Sequence, residues 1–301
     1  MRNLKRALSL ALAAIMLIGM MVVSASAASY NDLTDKDQIV NKDAVSMLVT
    51  LGVIEGKPDG SYAPTEGVDR AQMAKMISVI MNQGVDNGAL YENSPSGLTD
   101  ISSHWAKGHI NYCYTTGIIA GRGTGTFDPS ATVTALEAAK MLLVAVGYDP
   151  AIEGFEGADW AINVSVRADE QGIFEGFTKD LSAPLNRDDA ALLIYNALDV
   201  EMIQSYTTNN YPIAYSDHRT ILADKYGVIK VQGVVVANEW ASLASDDGDA
   251  ALKEGKTTIY NGEGIFSTTG NTTVSKEDAS LKTQTFNVST PVDMLGKTGN
   301  L

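Results

Sequence analysis

Few residues in this 301-residue chain have the types and spacing that catalysis or metal binding uses. There are three histidines. His104 and His109 are five apart rather than four, and no Glu lies between them as a helical zinc protease motif requires. They read as surface or capping residues. The run Gly121-Arg122-Gly123-Thr124-Gly125 imitates a phosphate loop, but it follows a helix-like run and lacks Gly-Lys-Ser/Thr, so nucleotide binding does not follow. Asp246-Asp247-Gly248-Asp249 resembles part of a calcium loop without the later bidentate Glu and reads as an acidic turn. Asp188 and Asp189 are adjacent, and neighbours on a helix do not face each other. No Ser-His-Asp set can be argued from spacing. Cys113 is the single cysteine, which excludes an intrachain disulfide. At helical spacing within Ile110–Tyr114 it reads as a small buried hydrophobe. No catalytic residue, cofactor or metal ligand is assigned.

The elements that would position a binding site are clearer, because the chain repeats itself. LGVIEGKPDGSYAPTEGVDRAQMAKMI around Gly52, TGIIAGRGTGTFDPSATVTALEAAKML around Gly117 and QGIFEGFTKDLSAPLNRDDAALLI around Gly172 follow one plan. Gly52 to Pro64, Gly117 to Pro129 and Gly172 to Pro184 each span 12 residues. Upstream, Trp105 and Trp160 each lie 12 residues before their glycine, where the first copy has Val40. Helical apolar spacing precedes each glycine, for example Val40, Ala44, Met47, Leu48 and Leu51. The glycine then ends the helix in the left-handed region. A turn follows, with Pro58-Asp59-Gly60 as its signal, and then a second helix. Thr65 or Asp69, and Ser130 or Thr134, are its candidate caps. Its apolar face reads Val68, Met73, Met76, Ile77 and Ile80 in the first copy. One helix pair buries little surface, whereas three can share a core.

Arg2, Lys5 and Arg6, the apolar run 7–23 and Ala25-Ser26-Ala27 read as a secretory leader cut before Ala28. Losing its three cations takes the formal charge from −14 to −17. That acidity argues against nucleic acid and against adhesion to an anionic membrane. An exported chain without disulfides suits a bacterial protein held outside its membrane.

The repeat resembles the S-layer homology domain, a module found in threes on bacterial surface proteins. The family motif Thr-Arg-Ala-Glu is matched by Asp69-Arg70-Ala71-Gln72, after Gly56-Lys57-Pro58-Asp59-Gly60-Ser61-Tyr62-Ala63-Pro64. The second copy matches the loop as Gly125-Thr126-Phe127-Asp128-Pro129 but has Ala135 in place of the arginine. The third reads Asn186-Arg187-Asp188-Asp189 after a three-residue deletion. The family's Asp…His-Trp-Ala opening appears as Asp100 and His104-Trp105-Ala106, and in weaker form as Asp159-Trp160-Ala161. Asp35 aligns with Asp100. The resemblance covers residues 32–199 and implies one mainly α, pseudo-threefold unit of three helix-loop-helix repeats that holds secondary cell-wall polysaccharide in grooves between repeats. A pyruvate ketal on that glycan would present a carboxylate, which a planar guanidinium binds through two parallel hydrogen bonds. On this basis Arg70 and Arg187 are the carboxylate candidates, or else solvated helix-start residues. Trp105 and Trp160 lie against a sugar face or serve as core anchors. Gly121 and Gly123 let backbone amides approach the glycan. Ala135 marks one groove as weak or silent. Gln72, Glu137 and Asp189 are expected to cap their own helices.

The expected organisation is a leader (1–27), repeats over 32–84, 98–148 and 155–199, a linker (200–219) and a β-rich segment (220–301). Strand-like runs there are 228–236, 257–260 and 283–288. The ending Gly299-Asn300-Leu301 looks like a domain without its closing strand. The chain reads as a non-enzymatic, exported wall anchor, with self-association in a surface layer as a further role. The alternatives are an anchor for a surface enzyme such as a glycan hydrolase, whose catalytic part lies outside the chain, and repeats that only scaffold self-association.

Overall fold

The computed structural model describes residues 29–228, 232–243, 251–261, 267–269, 272–274 and 282–300. The leader and the acidic turn 246–249 lie outside these. The helices fall mostly in the N-terminal part, as α1 (Lys42–Thr50), α2 (Arg70–Met81), α3 (Lys107–Thr115), α4 (Ala135–Ala145), α5 (Trp160–Glu170), α6 (Arg187–Ala197) and a short α7 (Ile221–Tyr226). No described helix is long and apolar enough to cross a membrane.

Local chemistry explains where these helices begin and end. Asp69 accepts the Gln72 N–H while Gln72 accepts the Asp69 N–H, and Thr134 and Glu137 close the same reciprocal box on α4. Of the candidate caps the structure therefore selects Asp69 and Thr134. Asn186 caps α6 by accepting from the Asp189 N–H; Asp189 itself binds the Lys179 ammonium instead of closing a box. Helices α1, α3 and α5 run into Gly52, Gly117 and Gly172, whose φ values of 72°, 78° and 71° are left-handed.

The packing is not segment by segment. Helix α3 packs on α2, α5 on α4, and α1 on α6. Each first helix therefore lies on the second helix of another segment, and α1 closes the circuit onto the last. Side-chain hydrogen bonds follow the same route: the Cys113 thiol on α3 donates to the Ala74 carbonyl on α2, and the Asn41 backbone and side-chain N–H groups donate to the Asp188 carboxylate on α6. Cys113 is fully buried, and burial pushes its thiol pKa far up.

At the centre, the residues just before α2, α4 and α6 form a closed ring. The Val68 N–H donates to Leu185 O (2.9 Å), Leu185 N–H to Val133 O (2.9 Å), and Val133 N–H to Val68 O (3.0 Å). All three side chains are buried. The ring corrects one reading of the sequence. Bridges pair Gly67 with Asn186, Asp69 with Thr132 and Thr134 with Pro184. Pro184 therefore stands where Gly67 and Thr132 stand, not where Pro64 and Pro129 do. Leu181 takes the proline place: its carbonyl accepts from Leu136 as Pro129 accepts from Ala71 and Pro64 from Asp188. The third 12-residue spacing arises because the shortened loop brings an unrelated proline into register.

Two expectations change after residue 200. The stretch 200–219 holds an antiparallel hairpin of β1 (Ile203–Tyr206) and β2 (Pro212–Ala214), tied to the helices by Ile203 N–H to Val146 O and Tyr206. Residues 221–226, placed in the β-rich segment, are helical. Thr220 caps them, Gly227 ends them at φ 63°, and Ile221 and Leu222 join the helical core. Thr298–Asn300 forms the edge strand β8, which pairs with β3 (Gln232–Asn238). With β4 (Thr257–Tyr260) and β7 (Thr283–Phe286) they form an antiparallel sheet in the order β7-β4-β3-β8. A separate two-stranded ribbon pairs β5 (Ser267–Thr269) with β6 (Thr272–Val274).

Glycine packing gives a direct test of the α2–α3 region. A Cβ on Gly108 would lie 1.8 Å from the Gly88 carbonyl, whereas one on Gly117 would meet nothing within 4 Å. Thermal unfolding should show Gly108→Ala destabilised by about 3 kcal/mol through backbone overlap, and Gly117→Ala by only about 1 kcal/mol for its left-handed φ.

Candidate functional site

Two of the clefts on the described helical part between them contain all six site residues singled out in the sequence. A cleft of about 310 Å³ has Arg187 and Trp105 in its walls. A second, of about 500 Å³, has Arg70, Trp160, Gly121 and Gly123. The two are assembled alike. In the first, Val53, Ile54, Gly56 and Lys57 come from the loop after α1, and Gln72, Lys75 and Met76 from α2. In the second, Ile118, Ile119, Gly121 and Arg122 come from the loop after α3, and Glu137, Lys140 and Met141 from α4. Each cleft thus takes a loop and helix from one segment, a tryptophan from the next and an arginine from the one before.

Both arginines are held by the same device. Arg70 Nε donates to Phe127 O at 2.9 Å, and its guanidinium lies 4.5 Å from that ring's centroid. Arg187 Nε donates to Tyr62 O at 2.8 Å and lies 4.9 Å from the Tyr62 ring. An aspartate orients each acceptor loop. Asp35 accepts from the Tyr62 and Ala63 N–H groups, and Asp100 from those of Phe127 and Asp128. Ala63 and Asp128 are left-handed, at φ 57° and 61°. That conformation costs about 1–2 kcal/mol in a non-glycine residue, and the carboxylate clamps offset it. Burial works to raise the Asp100 pKa, but the Phe127 and Asp128 N–H groups outweigh it and hold the carboxyl below its ordinary range.

The arginines differ beyond Nε. Arg70 is only 5% exposed. Its Nη1 approaches Glu137 Oε1 at 3.4 Å, and Arg122 Nη1 reaches the same oxygen at 2.7 Å. Burial first, and then the Arg122 charge, draw the Arg70 pKa down. Arg187 is half-buried, and it makes no ion pair among the described residues. Neither arginine is a solvated helix-start residue.

Trp105 is not a core anchor, whereas Trp160 packs against the helical core. Trp105 is 59% exposed. Trp160 is half-buried, with the Lys140 ammonium 5.9 Å from its ring centroid, and burial lowers the Lys140 pKa. Val40, which holds the tryptophan position in the first copy, is 82% exposed rather than part of an apolar face. A Cβ on Gly121 would sit 2.8 Å from Thr126 O, so the loop's own closure requires glycine there. Gly123 is left-handed at φ 80° with open space around it.

His104 is half-buried just before α3, its Nδ1 accepting from the Ala106 N–H without capping the helix. His109 does not lie on the surface. It is buried, with Nδ1 3.1 Å from Ser78 Oγ and Nε2 3.1 Å from Asp86. Burial, only partly opposed by the Asp86 charge, lowers its pKa. This Ser-His-Asp trio is not nucleophilic machinery, since Ser78 is fully buried.

Sequence reasoning missed Lys75 and Lys140. Their signal was register: each lies five residues after the Arg70 or Ala135 position, where the third segment has Leu192. The third set of positions therefore holds Leu192, Ala135 and Val40 in place of lysine, arginine and tryptophan. Chemically, each of the two complete clefts combines a planar cation, an ammonium and an indole, which suits an anionic group attached to a ring with an apolar face.

The Asp100 clamp is testable. Because its folded pKa is depressed, its stabilisation is present above the unfolded value of about 3.9 and is lost as the pH falls through the lower folded value. Asp100→Asn should cost ~1 kcal/mol at pH 7 after allowance for solvent screening. Denaturant melts should show the difference from the parent shrinking below about pH 3.9.

Comparison with known proteins bears on the same region. Residues 29–74 and 97–139 match the S-layer homology domain. Arg70, Trp105, Gly121 and Gly123 lie inside these stretches, and Trp160 and Arg187 outside them. A cell surface protein of Thermoanaerobacter kivui is 25% identical over 270 residues, covering 89% of this chain and 32% of the relative. An S-layer protein of Bacillus licheniformis is 33% identical over 113 residues, 38% of this chain and 12% of its own length. An exoglucanase of Acetivibrio thermocellus is 28% identical over 187 residues, 57% of this chain and 16% of the enzyme. The chain spans about a third or less of the length of these relatives. It carries S-layer homology domain sequence in its helical part and is similar to bacterial surface proteins.

Proposed function

We propose that residues 32–199 form three repeats around a pseudo-threefold axis and anchor the protein non-covalently to the bacterial cell wall by binding an acidic secondary polysaccharide between repeats. The observation that carries this reading is the recurrence of one constellation in two clefts: a guanidinium stacked on an aromatic ring, a lysine, and a tryptophan from the following segment. A ligand carboxylate, as in a pyruvate ketal, accepts hydrogen bonds from the arginine and charge from the lysine, while a sugar ring lies on the indole. The local cations overcome the field of a chain whose formal charge is −14. Two clefts on one rigid unit strengthen attachment to a repeating polymer through effective concentration. With Ala135, Leu192 and Val40 at the corresponding positions, the third groove takes no carboxylate.

On this reading residues 1–27 direct export, the protein resides at the wall or in a surface layer, and the segment after residue 200 serves display or self-association. A second reading, that the repeats tether an enzyme, is favoured by the similarity to an exoglucanase; it shares the same anchor.

Co-sedimentation with purified bacterial wall sacculi tests the proposal. The protein should pellet with intact sacculi and remain in solution with sacculi stripped of their secondary polymer. Arg187→Ala should weaken pelleting about tenfold or more, as loss of a charge-assisted hydrogen-bonding pair implies. Equal pelleting with stripped sacculi would exclude the polymer as the ligand.

A further inference from the structure

The two clefts share their arginine, lysine and tryptophan but differ at other lining positions: Glu55 stands opposite Ala120, Lys57 opposite Arg122, and, at the residue that closes the first turn of the helix, Gln72 on α2 opposite Glu137 on α4. Both residues cap their own helix with one side-chain oxygen. The other end of the side chain then faces the cleft in different chemical states. Glu137 turns a second carboxylate oxygen to Arg70 and Arg122, at 3.4 and 2.7 Å. It thus supplies from within the protein the group that a carboxylate ligand would bring. Gln72 has an amide there, which donates to an anion and repels nothing. The counterpart of Arg122, Lys57, is drawn away to Glu66.

Three acids near Arg187 are engaged elsewhere, whereas Glu55, which lines the same cleft, is exposed. Asp188 receives the Asn41 N–H groups, Asp189 receives Lys179, and Asp86 is shared by Lys75 and His109. Among the described residues the Arg187 guanidinium is bound only through Nε, and its terminal nitrogens remain available to a ligand. Arg70 is fixed on three sides, by Phe127 O, the Phe127 ring and Glu137. An incoming carboxylate in that cleft must displace Glu137 or lie beside it as a like charge.

We infer that the clefts are unequal, that an anionic glycan fills the Arg187–Trp105 cleft first, and that Glu137 acts as a built-in competitor lowering the affinity of the Arg70–Trp160 cleft. The inference rests on the proposed function and adds the order of occupation and the residue that sets it. The positions of the pair explain how the difference is achieved without cost to the fold, since glutamine and glutamate close the same capping box.

The three tryptophans allow a test that needs no disabling mutation. Trp105 belongs to one cleft, Trp160 to the other, and Trp240 to neither. Indole N–H signals of the ¹⁵N-labelled chain are followed by NMR during titration with a methyl hexoside bearing a 4,6-linked pyruvate ketal, with the methyl ester of the ketal as control. Trp105 should shift first, and Trp160 should need about tenfold more ligand, equivalent to 1.4 kcal/mol. Glu137→Gln should bring the Trp160 midpoint down to that of Trp105, and Gln72→Glu should raise the Trp105 midpoint by a similar factor. The ester should move neither. If Trp160 shifts first or together with Trp105, or the swaps leave both midpoints unchanged, the order and the role of Glu137 are overturned while carboxylate binding stands. If neither indole responds to the ketal in the parent or in Glu137→Gln, carboxylate recognition itself fails, and the inference with it.

Discussion

Three backbone hydrogen bonds at the centre of the helical part, linking Val68, Val133 and Leu185 in a ring, constrain everything built around them. Each of these residues donates to one neighbour and accepts from the other, in an interior where an unpaired amide would cost about 1–3 kcal/mol. The ring sets the three second helices at a common origin, because each helix cap lies one residue beyond a ring member. Its closure also requires all three segments at once. The same dependence appears in the packing, where every first helix rests on the second helix of another segment. A segment taken alone would leave its apolar faces in water and its pre-helix amides without their protein partners.

The clefts follow from that arrangement. Because the second helices radiate from the ring, the guanidinium at the start of one helix falls beside the loop of the next segment. There an aspartate-clamped turn presents both a carbonyl and an aromatic face. The backbone strain at Ala63 and Asp128 lies at this contact, and the clamp that supports it also aims the arginine. Stability and binding geometry thus share the same few groups, which explains why the loop tolerates left-handed non-glycine residues at this point.

The charge distribution follows a related logic. The chain is acidic overall, with a formal charge of −14, and the cations of the two clefts are concentrated in recesses. Within those recesses they are buffered to different degrees by the protein's own carboxylates. Glu137 pairs with two arginines in one cleft, whereas the other cleft has a glutamine in its place. One side chain therefore changes the electrostatics of a site while its helix-capping role stays the same.

Much of this was legible in the sequence. The glycine C-caps, the capping boxes, the helical part and the strands at Thr257–Tyr260 and Thr283–Phe286 follow from short-range spacing, since local backbone geometry decides them. The arginines, tryptophans and loop glycines of the clefts could be named because each sits at a fixed place in a repeated pattern, whereas Lys75 and Lys140 were missed. What the spacing could not reveal depends on contacts between distant parts of the chain. Pro184 matched a position it does not occupy, because a shortened loop shifts register only when paired with its neighbour. His109 looked like a surface residue because α2 and the Asp86–Gly88 stretch, distant in sequence, bury it. Helix α7 lay in a stretch read as strands, and its place is decided by Leu222 packing into the helical core. The sequence alone determined the kinds of element and the chemical groups available. The tertiary structure decided which arginine meets which tryptophan, and which guanidinium pairs with a carboxylate, because those partnerships are set by the ring that joins three segments far apart in the chain.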